Sequence, residues 1–341
     1  MAGVNPIGLD IGSSSIRAVE VRRAKDEHTL TNFGQVPLPA GTVVGGVLQD
    51  PVAVTGALKQ LWAACKFDTK RVMLGVTSPQ LVVREMSVSN LPAKEMHQSL
   101  PFQVRDMLPL AVERSLLDFH PLEEPGDSPT VRGLLIAMPK DAVLAAVQAV
   151  EKAGLHVVGV DLASFAVLRA ASRLDAQVEA IVDIGAEVTS VLVHADGEPL
   201  IVRTVPRGGT EITETIATRL GLPLPEADAL KCRFGLHGDG RPEATAAVAD
   251  AVRPLINELR SSFTYLASGE RQKQVTRISL CGGSALMPGL AEYLQSQLGV
   301  AVVYADSAGR LRDTRKARER GFDSFMASAA VSIGLTLGAA A

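Results

Sequence analysis

Short apolar runs separated by turn residues fill the first part of the chain. Ile7–Ile11, Ile16–Val21 and Thr29–Val36 are each predicted to form a strand, because β-branched and aliphatic residues cluster between turn formers. Val52–Cys65 carries apolar residues at helical steps, which predicts a helix with one buried face. Val72–Val76 is continuously apolar and predicts a strand buried on both faces. These elements predict an α/β layer.

From Val82 the pattern predicts a separate unit with the order β-α-β-β-α-β. Its expected strands cover 82–88, 116–122, 131–138 and 157–161, and its expected helices start at Pro92 and cover 140–152. We place an inserted subdomain at residues 82–154, and the core of a first domain at residues 1–81 and 155–178. The predicted helix at 164–174 continues the layer of that first domain.

The second half repeats the start of the first, with a new apolar strand at Ala180–Ile184. We therefore expect a second domain at 179–341, which includes a mainly helical subdomain at about 206–276. Residues 306–323 are rich in charge and are expected to be a solvated surface segment. Residues 326–341 are apolar but short of the roughly 20 residues that a membrane span needs, so we expect a packed terminal helix.

Composition narrows the class of protein. The hydrophobic share of 47% and charged share of 21% are those of a folded globular chain, and a net charge of −3 gives no basic surface for nucleic acid. Three cysteines, at positions 65, 232 and 281, form no pair spaced for a disulfide framework or a zinc site, which favours reduced thiols in a cytoplasmic protein. Residues 1–10 lack the features of a signal peptide.

One short motif occurs twice, about half the chain apart. Asp10-Ile11-Gly12 and Asp183-Ile184-Gly185 each end a buried strand and begin a turn that leads to another strand. Glycine permits positive φ and a close approach of the backbone to a ligand, and successive N–H groups in such a turn bind anions. Further donors are expected from the residues that follow the two glycines, which are Ser13, Ser14, Ser15 and Ala186.

The two aspartates indicate a cation. Asp10 and Asp183 would repel a phosphate unless Mg²⁺ came between them, and Mg²⁺ is commonly held through water by one or two carboxylates together with phosphates. Two such turns facing each other across a cleft would hold a triphosphate from both sides. The alternative is that each turn is only the corner of a hairpin, and the repetition at half-chain spacing argues against it.

Three further segments are candidates for the rest of a nucleotide site. Gly282-Gly283-Ser284 joins a strand to a helix without bulky side chains, so its backbone can lie against a base or ribose. Gly208 and Gly209 begin a helix. Glu226 and Lys231 are near neighbours on a predicted helix and are candidates for bonding the ribose or adenine, with a plain surface pair as the alternative.

The order of these motifs resembles that of the superfamily of actin, hexokinase and heat-shock chaperone ATPases. Within it, the chain resembles the PilM family of type IV pilus assembly proteins, relatives of the cell-division protein FtsA. The likeness rests on residues 8–19, 151–170, 182–190, 207–211 and 280–290. It implies an α/β, actin-like ATPase fold, with two duplicated domains around a nucleotide cleft and a subdomain inserted in the first domain.

The resemblance also implies a role. Proteins of the PilM family bind ATP in the cytoplasm and dock the cytoplasmic N-terminal peptide of PilN, an inner-membrane protein, in a groove between the first-domain core and the inserted subdomain. The complex then joins other components of the pilus motor. Recruitment to the inner membrane through this partner, without direct insertion, and possible self-association follow as expectations. Candidates for the partner surface are Phe102, Val104, Met107 and Leu110, unless they fill the core of the inserted subdomain.

The chain differs from the family pattern in two places, and the role of Asp161 has two interpretations. Cys281 stands where the family often has glycine, and the chain has no basic amphipathic tail of the kind that FtsA-like proteins use to reach a membrane. This favours a partner-anchored protein over an FtsA-like polymer-forming tether, with a small-molecule kinase as a third hypothesis. Asp161 is a candidate for orienting water toward the γ-phosphate or for capping the helix that follows it. We therefore expect at most a slow ATPase.

Overall fold

The structure is a computed structural model that describes residues 5–24, 27–124, 126, 128–175, 177–237, 242–268, 272–312 and 315–338. The first four residues of the expected N-terminal segment and the last three of the expected terminal helix, 339–341, lie outside the described residues. No helix within the described ranges is long and apolar enough to cross a membrane.

The described residues form both strands and α-helices. The strands are β1 (Ile7–Ile11), β2 (Ser15–Ala24), β3 (Glu27–Pro37), β4 (Val43–Val44), β5 (Val47–Leu48), β6 (Arg71–Val76), β7 (Val82–Ser89), β8 (Ser115–Pro121), β9 (Thr130–Pro139), β10 (His156–Leu162), β11 (Val178–Ile184), β12 (Thr189–Ala195), β13 (Glu198–Val205), β14 (Arg277–Cys281) and β15 (Ala301–Tyr304). The α-helices are α1 (Pro51–Cys65), α2 (Ala93–Gln103), α3 (Lys140–Lys152), α4 (Ala163–Ala171), α5 (Gly209–Leu220), α6 (Leu224–Arg233), α7 (Pro242–Ser268), α8 (Leu290–Leu298), α9 (Arg315–Glu319), α10 (Phe322–Met326) and α11 (Ala330–Gly338).

Two five-stranded sheets form the centres of two similar domains. The first has the order β10-β6-β1-β2-β3 and the second the order β13-β12-β11-β14-β15. In each sheet the strand that ends in Asp-Ile pairs antiparallel with the next strand and parallel with a later one, which is β6 for β1 and β14 for β11. The two copies of the motif therefore occupy equivalent places in duplicated domains, as the sequence repeat predicted.

The inserted subdomain is smaller than the sequence analysis expected. Its sheet has three strands, in the order β7-β9-β8, and α2 packs on it. The order β-α-β-β-α-β is present, but the last two elements pack elsewhere. Helix α3 contributes Ala146, Ala149 and Val150 to the core of the first domain, and β10 pairs with β6 in the first sheet. The apolar face of α3 is buried against α1 of the first domain. The residues that pack together as the inserted subdomain are therefore about 82–139.

The chain returns to the first domain at its end. Helix α11 packs against β1, β2, β6 and α4, although the sequence analysis assigned this segment to the second domain. Gly8 permits the contact, since a Cβ atom there would lie only 1.9 Å from the carbonyl oxygen of Ser332. The charged segment before this helix is also not purely solvated, because Leu311 and Phe322 are buried against β2 and β3.

Candidate functional site

The two hairpins that carry the repeated motif face one cleft between the domains. Gly12 N–H donates to the carbonyl oxygen of Ser15 at 3.1 Å, and Gly185 N–H donates to that of Val188 at 2.9 Å. The cleft has a volume of about 730 Å³. The predicted residues among its lining are Asp10, Gly12, Ser13, Ser14, Asp183, Gly185, Ala186, Gly209, Lys231, Gly282, Gly283 and Ser284.

The glycines of the two turns work through close approach rather than through positive φ. Neither Gly12 nor Gly185 has the positive φ that glycine permits. A Cβ on Gly185 would lie 2.8 Å from the carbonyl oxygen of Val188, so a larger residue would push the turn open. Positive φ is instead required at Gly282, with φ of 91°, where a Cβ would lie 2.4 Å from a carboxylate oxygen of Asp183.

Three predicted residues lie beside the cleft without lining it. Ser15 is buried at the start of β2. Gly208 packs behind the second turn, where a Cβ would lie 2.5 Å from the carbonyl oxygen of Ala186. Glu226 is exposed on α6 and is not part of the cleft lining. The partner of Lys231 is Asp228, one helical turn before it, with 2.7 Å between Nζ and Oδ1.

Lys231 organises the helical side of the cleft. Its Nζ donates to the carbonyl oxygen of Gly209 at 3.1 Å and to the hydroxyl of Thr213 at 2.7 Å, besides Asp228. All three donors of the ammonium group are thereby used within the protein. Asp228 carries the half-exposed carboxylate at this end of the cleft, and its oxygens can accept hydrogen bonds from a ligand, whereas the Lys231 ammonium can only donate.

The turn that follows β11 is braced from two sides. The first N–H groups of α5, those of Gly209 and Thr210, donate to the carbonyl oxygens of Gly185 at 3.0 Å and Ala186 at 2.8 Å. The hydroxyl of Ser284 donates to the same Gly185 oxygen at 2.9 Å. The turn that follows β14 and the turn that follows β11 are therefore held at fixed positions relative to each other.

Arg17, like Asp228, lines the cleft but was not among the residues predicted from the sequence. It pairs with Asp10 across the first hairpin, with 3.4 Å between Nη1 and Oδ2. Its Nε is buried without a hydrogen-bond partner among the described residues. A buried, unsatisfied donor in a polar cleft fits an anionic ligand. The sequence does contain a signal for Arg17, because the register of the predicted hairpin sets this residue opposite Asp10.

The electrostatics of the cleft favour a cation next to the two aspartates. Burial, and after it the nearby charge of Asp10, raise the pKa of Asp183 to about 6, although Arg17 acts in the opposite direction. Burial also raises the pKa of Asp10. Within the described ranges no three His, Cys, Asp or Glu side chains form a ready metal site, so a Mg²⁺ ion here would need oxygen ligands from phosphate and water as well.

A second cavity, of about 500 Å³, lies between the inserted subdomain and the core of the first domain. Two edge strands border it, β8 of the small sheet and β10 of the first sheet. The lining is mainly apolar and includes Leu116, Phe119, Ile136, Val160, Leu162 and Phe165. We call this cavity the groove.

Asp161 belongs to the groove and not to the cleft. Its carboxylate pairs with Arg169 and accepts a hydrogen bond from Leu162 N–H at 2.7 Å, so neither the water-orienting role nor a cap on α4 describes its contacts. At this strand end it is Ala163 that lines the cleft.

The four residues expected at the partner surface do not line the groove. Val104 is buried in the core of the inserted subdomain. Phe102 is 82% exposed and Met107 is 40% exposed, while Leu110 is half-buried. The apolar residues that border the groove come instead mainly from β8, β9, β10 and α4.

Comparison with known proteins gives the family. The sequence model of the type IV pilus assembly protein PilM matches residues 8–340. The chain belongs to the PilM family. It superposes on the solved "PilM-PilN type IV pilus biogenesis complex" with a TM-score of 0.87 and 27% identity, over 99% of each chain.

More distant relatives support the actin-like fold. The cell division protein FtsA of Streptococcus pneumoniae is 23% identical over 341 residues, which covers 86% of this chain and 74% of FtsA. The ethanolamine utilization protein EutJ of Carboxydothermus hydrogenoformans has a TM-score of 0.60 at 16% identity, over 99% of this chain and 90% of EutJ. MreB5 of Spiroplasma citri, bound to ADP, has a TM-score of 0.56 at 13% identity, over 95% of this chain and 99% of MreB5.

Proposed function

We propose that this chain is an ATP-binding scaffold of the type IV pilus assembly machine that works on the cytoplasmic face of the inner membrane. It docks the cytoplasmic N-terminal peptide of an inner-membrane PilN-type protein, and other motor components join through this complex. Membership of the PilM family and the likeness to the solved PilM-PilN complex support this role.

In this proposal, ATP with Mg²⁺ occupies the cleft. Asp10 and Asp183 hold the cation through water, Arg17 and the two turns hold the phosphates, and the segment Gly282–Ser284 lies against the adenosine. Mg²⁺ neutralises charge on the phosphates and so makes their approach to the two carboxylates favourable. We propose at most slow hydrolysis, since Asp161 lies in the groove and Ala163, which faces the cleft beside it, has no group to orient water.

The peptide is proposed to lie in the groove. An edge strand offers unpaired N–H and C=O groups, and the groove has such a strand on either side, so an extended segment can bond to the backbone while its apolar side chains face the lining. The proposal that the peptide docks here depends on this observation, namely that two edge strands, β8 and β10, border an apolar groove.

The cleft and the groove meet at two strand ends. Val76, the last residue of β6, lines the groove, and Thr77 lines the cleft. Leu162, the last residue of β10, lines the groove, and Ala163 lines the cleft. A ligand in the cleft that displaces these strand ends changes the groove, and by linkage a peptide in the groove changes the affinity for ATP by the same factor. ATP therefore acts mainly as a conformational ligand.

The test is the affinity of a labelled peptide with the N-terminal residues of the partner, measured by fluorescence anisotropy with and without ATP and Mg²⁺. We expect a change of about 5-fold or more. Identical affinities would refute the coupling. Leu116→Glu places a charge in the groove and should abolish binding in both conditions, and unchanged binding by this variant would refute the docking site.

The FtsA relatives favour a second candidate, a polymer-forming tether. A pelleting assay with ATP and Mg²⁺ separates the two, because a scaffold that acts as a single complex stays in the supernatant. A small-molecule kinase, the third hypothesis, would transfer phosphate to a metabolite.

A further inference from the structure

The groove has a third wall, which the second domain provides. Gly197 and Pro199 line it together with the strands of the inserted subdomain and of the first domain. Both residues lie at the tip of the hairpin formed by β12 and β13. A segment that fills the groove is thus within reach of all three parts of the fold.

The tip of this hairpin is held in a fixed conformation. Asp196 and Gly197 form a two-residue turn with φ of 52° and 91°, the left-handed backbone that joins tightly paired strands. Gly197 N–H donates to Nδ1 of His194 at 3.2 Å, so the ring proton of a neutral imidazole lies on Nε2 and is donated to Glu179 at 3.0 Å. Because His194 and Glu179 are fully buried, these bonds tie the hairpin tip to the core of the second domain.

One arginine of the inserted subdomain reaches this hairpin. Arg132, on β9, has its guanidinium 3.9 Å from the carboxylate of Glu198 at the start of β13. The same guanidinium lies 2.8 Å from Glu85 and 3.6 Å from Glu123, both within the inserted subdomain. Arg132 therefore lies among three carboxylates, of which one belongs to the second domain. Strands β7 and β13 are also in contact.

We infer that the peptide docked in the groove contacts both domains at once, with Gly197 and Pro199 as its contacts on the second domain, and that the Arg132–Glu198 pair keeps this wall against the inserted subdomain. The inference rests on the proposed function, since the occupant is the extended, apolar N-terminal peptide of the membrane partner. A ligand that contacts both domains stabilises the arrangement in which the two walls are close. Docking of the peptide and closure of the cleft are then one equilibrium.

Hydrogen exchange of the full chain, followed by mass spectrometry, tests the contact directly. On addition of the synthetic N-terminal peptide, we expect slower exchange in residues 116–120, in residues 160–162 and also in the hairpin tip, residues 195–198. Protection of 116–120 without any change in the hairpin tip would overturn the third wall and leave the proposed docking site standing. Protection in none of these segments would overturn the proposed function itself.

Charge variants test the ion pair. Glu198→Lys replaces attraction to Arg132 by repulsion and should weaken binding of the labelled peptide by about 3- to 10-fold. Glu198→Gln removes only the attraction and should weaken peptide binding by a smaller factor. It provides the same test if Glu198→Lys fails to fold. Glu243→Lys, an exposed site on α7, is the matched control and should bind within about twofold of the parent chain. Unchanged affinity in both Glu198 variants would overturn the role of the pair.

Discussion

Replacing the buried Glu179 by glutamine removes a charge that the second domain is built around. The carboxylate is fully buried and accepts four hydrogen bonds. One oxygen accepts from His194 at 3.0 Å and from Arg173 N–H at 2.8 Å, and the other accepts from Arg277 Nε at 3.1 Å and from the hydroxyl of Ser279. A glutamine amide would direct N–H groups at two of these donors, which leaves them unpaired in the interior.

The expected loss of folding stability follows from the lowered pKa of Glu179. Burial alone would raise the pKa of Glu179, but the hydrogen bonds, led by that from His194, lower it to about 2 from the ordinary 4.5. This difference corresponds to about 3 kcal/mol of stability in favour of the ionised form. Because the folded-state pKa is lowered, that stability is fully present above about pH 4.5 and is lost as the pH falls toward 2.

Calorimetry provides the assay. At pH 7.5, Glu179→Gln should lose about 3 kcal/mol, seen as a fall of roughly 6–12 °C in the unfolding temperature of the second domain. Between pH 7.5 and pH 3.5 the gap between the two proteins should narrow by about 1 kcal/mol. Glu243→Gln, at an exposed position, should change stability by less than about 0.5 kcal/mol. A loss below about 1 kcal/mol at pH 7.5, or a gap that does not depend on pH, would refute the reasoning.

Three further substitutions separate the cleft, the core and the groove. Arg17→Ala should weaken binding of a fluorescent ATP analogue by about 10-fold or more, since it removes the cation of the phosphate site, and unchanged affinity would contradict its assignment. Gly8→Ala should destabilise the first domain by roughly 3 kcal/mol in thermal unfolding, because the new Cβ would overlap the carbonyl of Ser332, and a stability equal to that of the parent would show that α11 can shift freely. Asp161→Asn should leave the affinity for ATP unchanged and weaken binding of the labelled peptide by about 3- to 10-fold, because it alters the contact of residue 161 with Arg169 in the groove. A loss of ATP binding without a change in peptide binding would show that Asp161 acts in the cleft.

Local patterns predicted most of the elements, because strand alternation and helical spacing are properties of neighbouring residues. They could not predict where each element packs. The apolar face of α3 showed only that the helix is buried on one side, and nothing local distinguished α1 from the small sheet as its partner. The same limit applies to α11, whose return to the first domain depends on contacts more than 300 residues apart in sequence, such as that of Ser332 with Arg17.

The candidate site shows a similar division. The repeated Asp-Ile-Gly turns could be found from sequence because each is a contiguous motif with its own chemistry. Asp228 and Arg17 belong to the same cleft but became visible only when the helix and the hairpin were built, since side-chain direction decides which of several nearby charges faces the ligand. Asp161 lies only two residues before Ala163, which lines the cleft, but its side chain lines the groove together with those of Val160 and Leu162.

The return of α11 to the first sheet also affects how the chain is made. During synthesis the first sheet can assemble once β10 has left the ribosome, but the face against which α11 packs stays uncovered until residues 330–338 emerge. At the usual rates of roughly 5–20 residues per second, the intervening 160 or so residues take on the order of ten to thirty seconds. For that time the nascent chain presents an uncovered apolar surface on the first sheet, and this domain completes its fold only when α11 emerges.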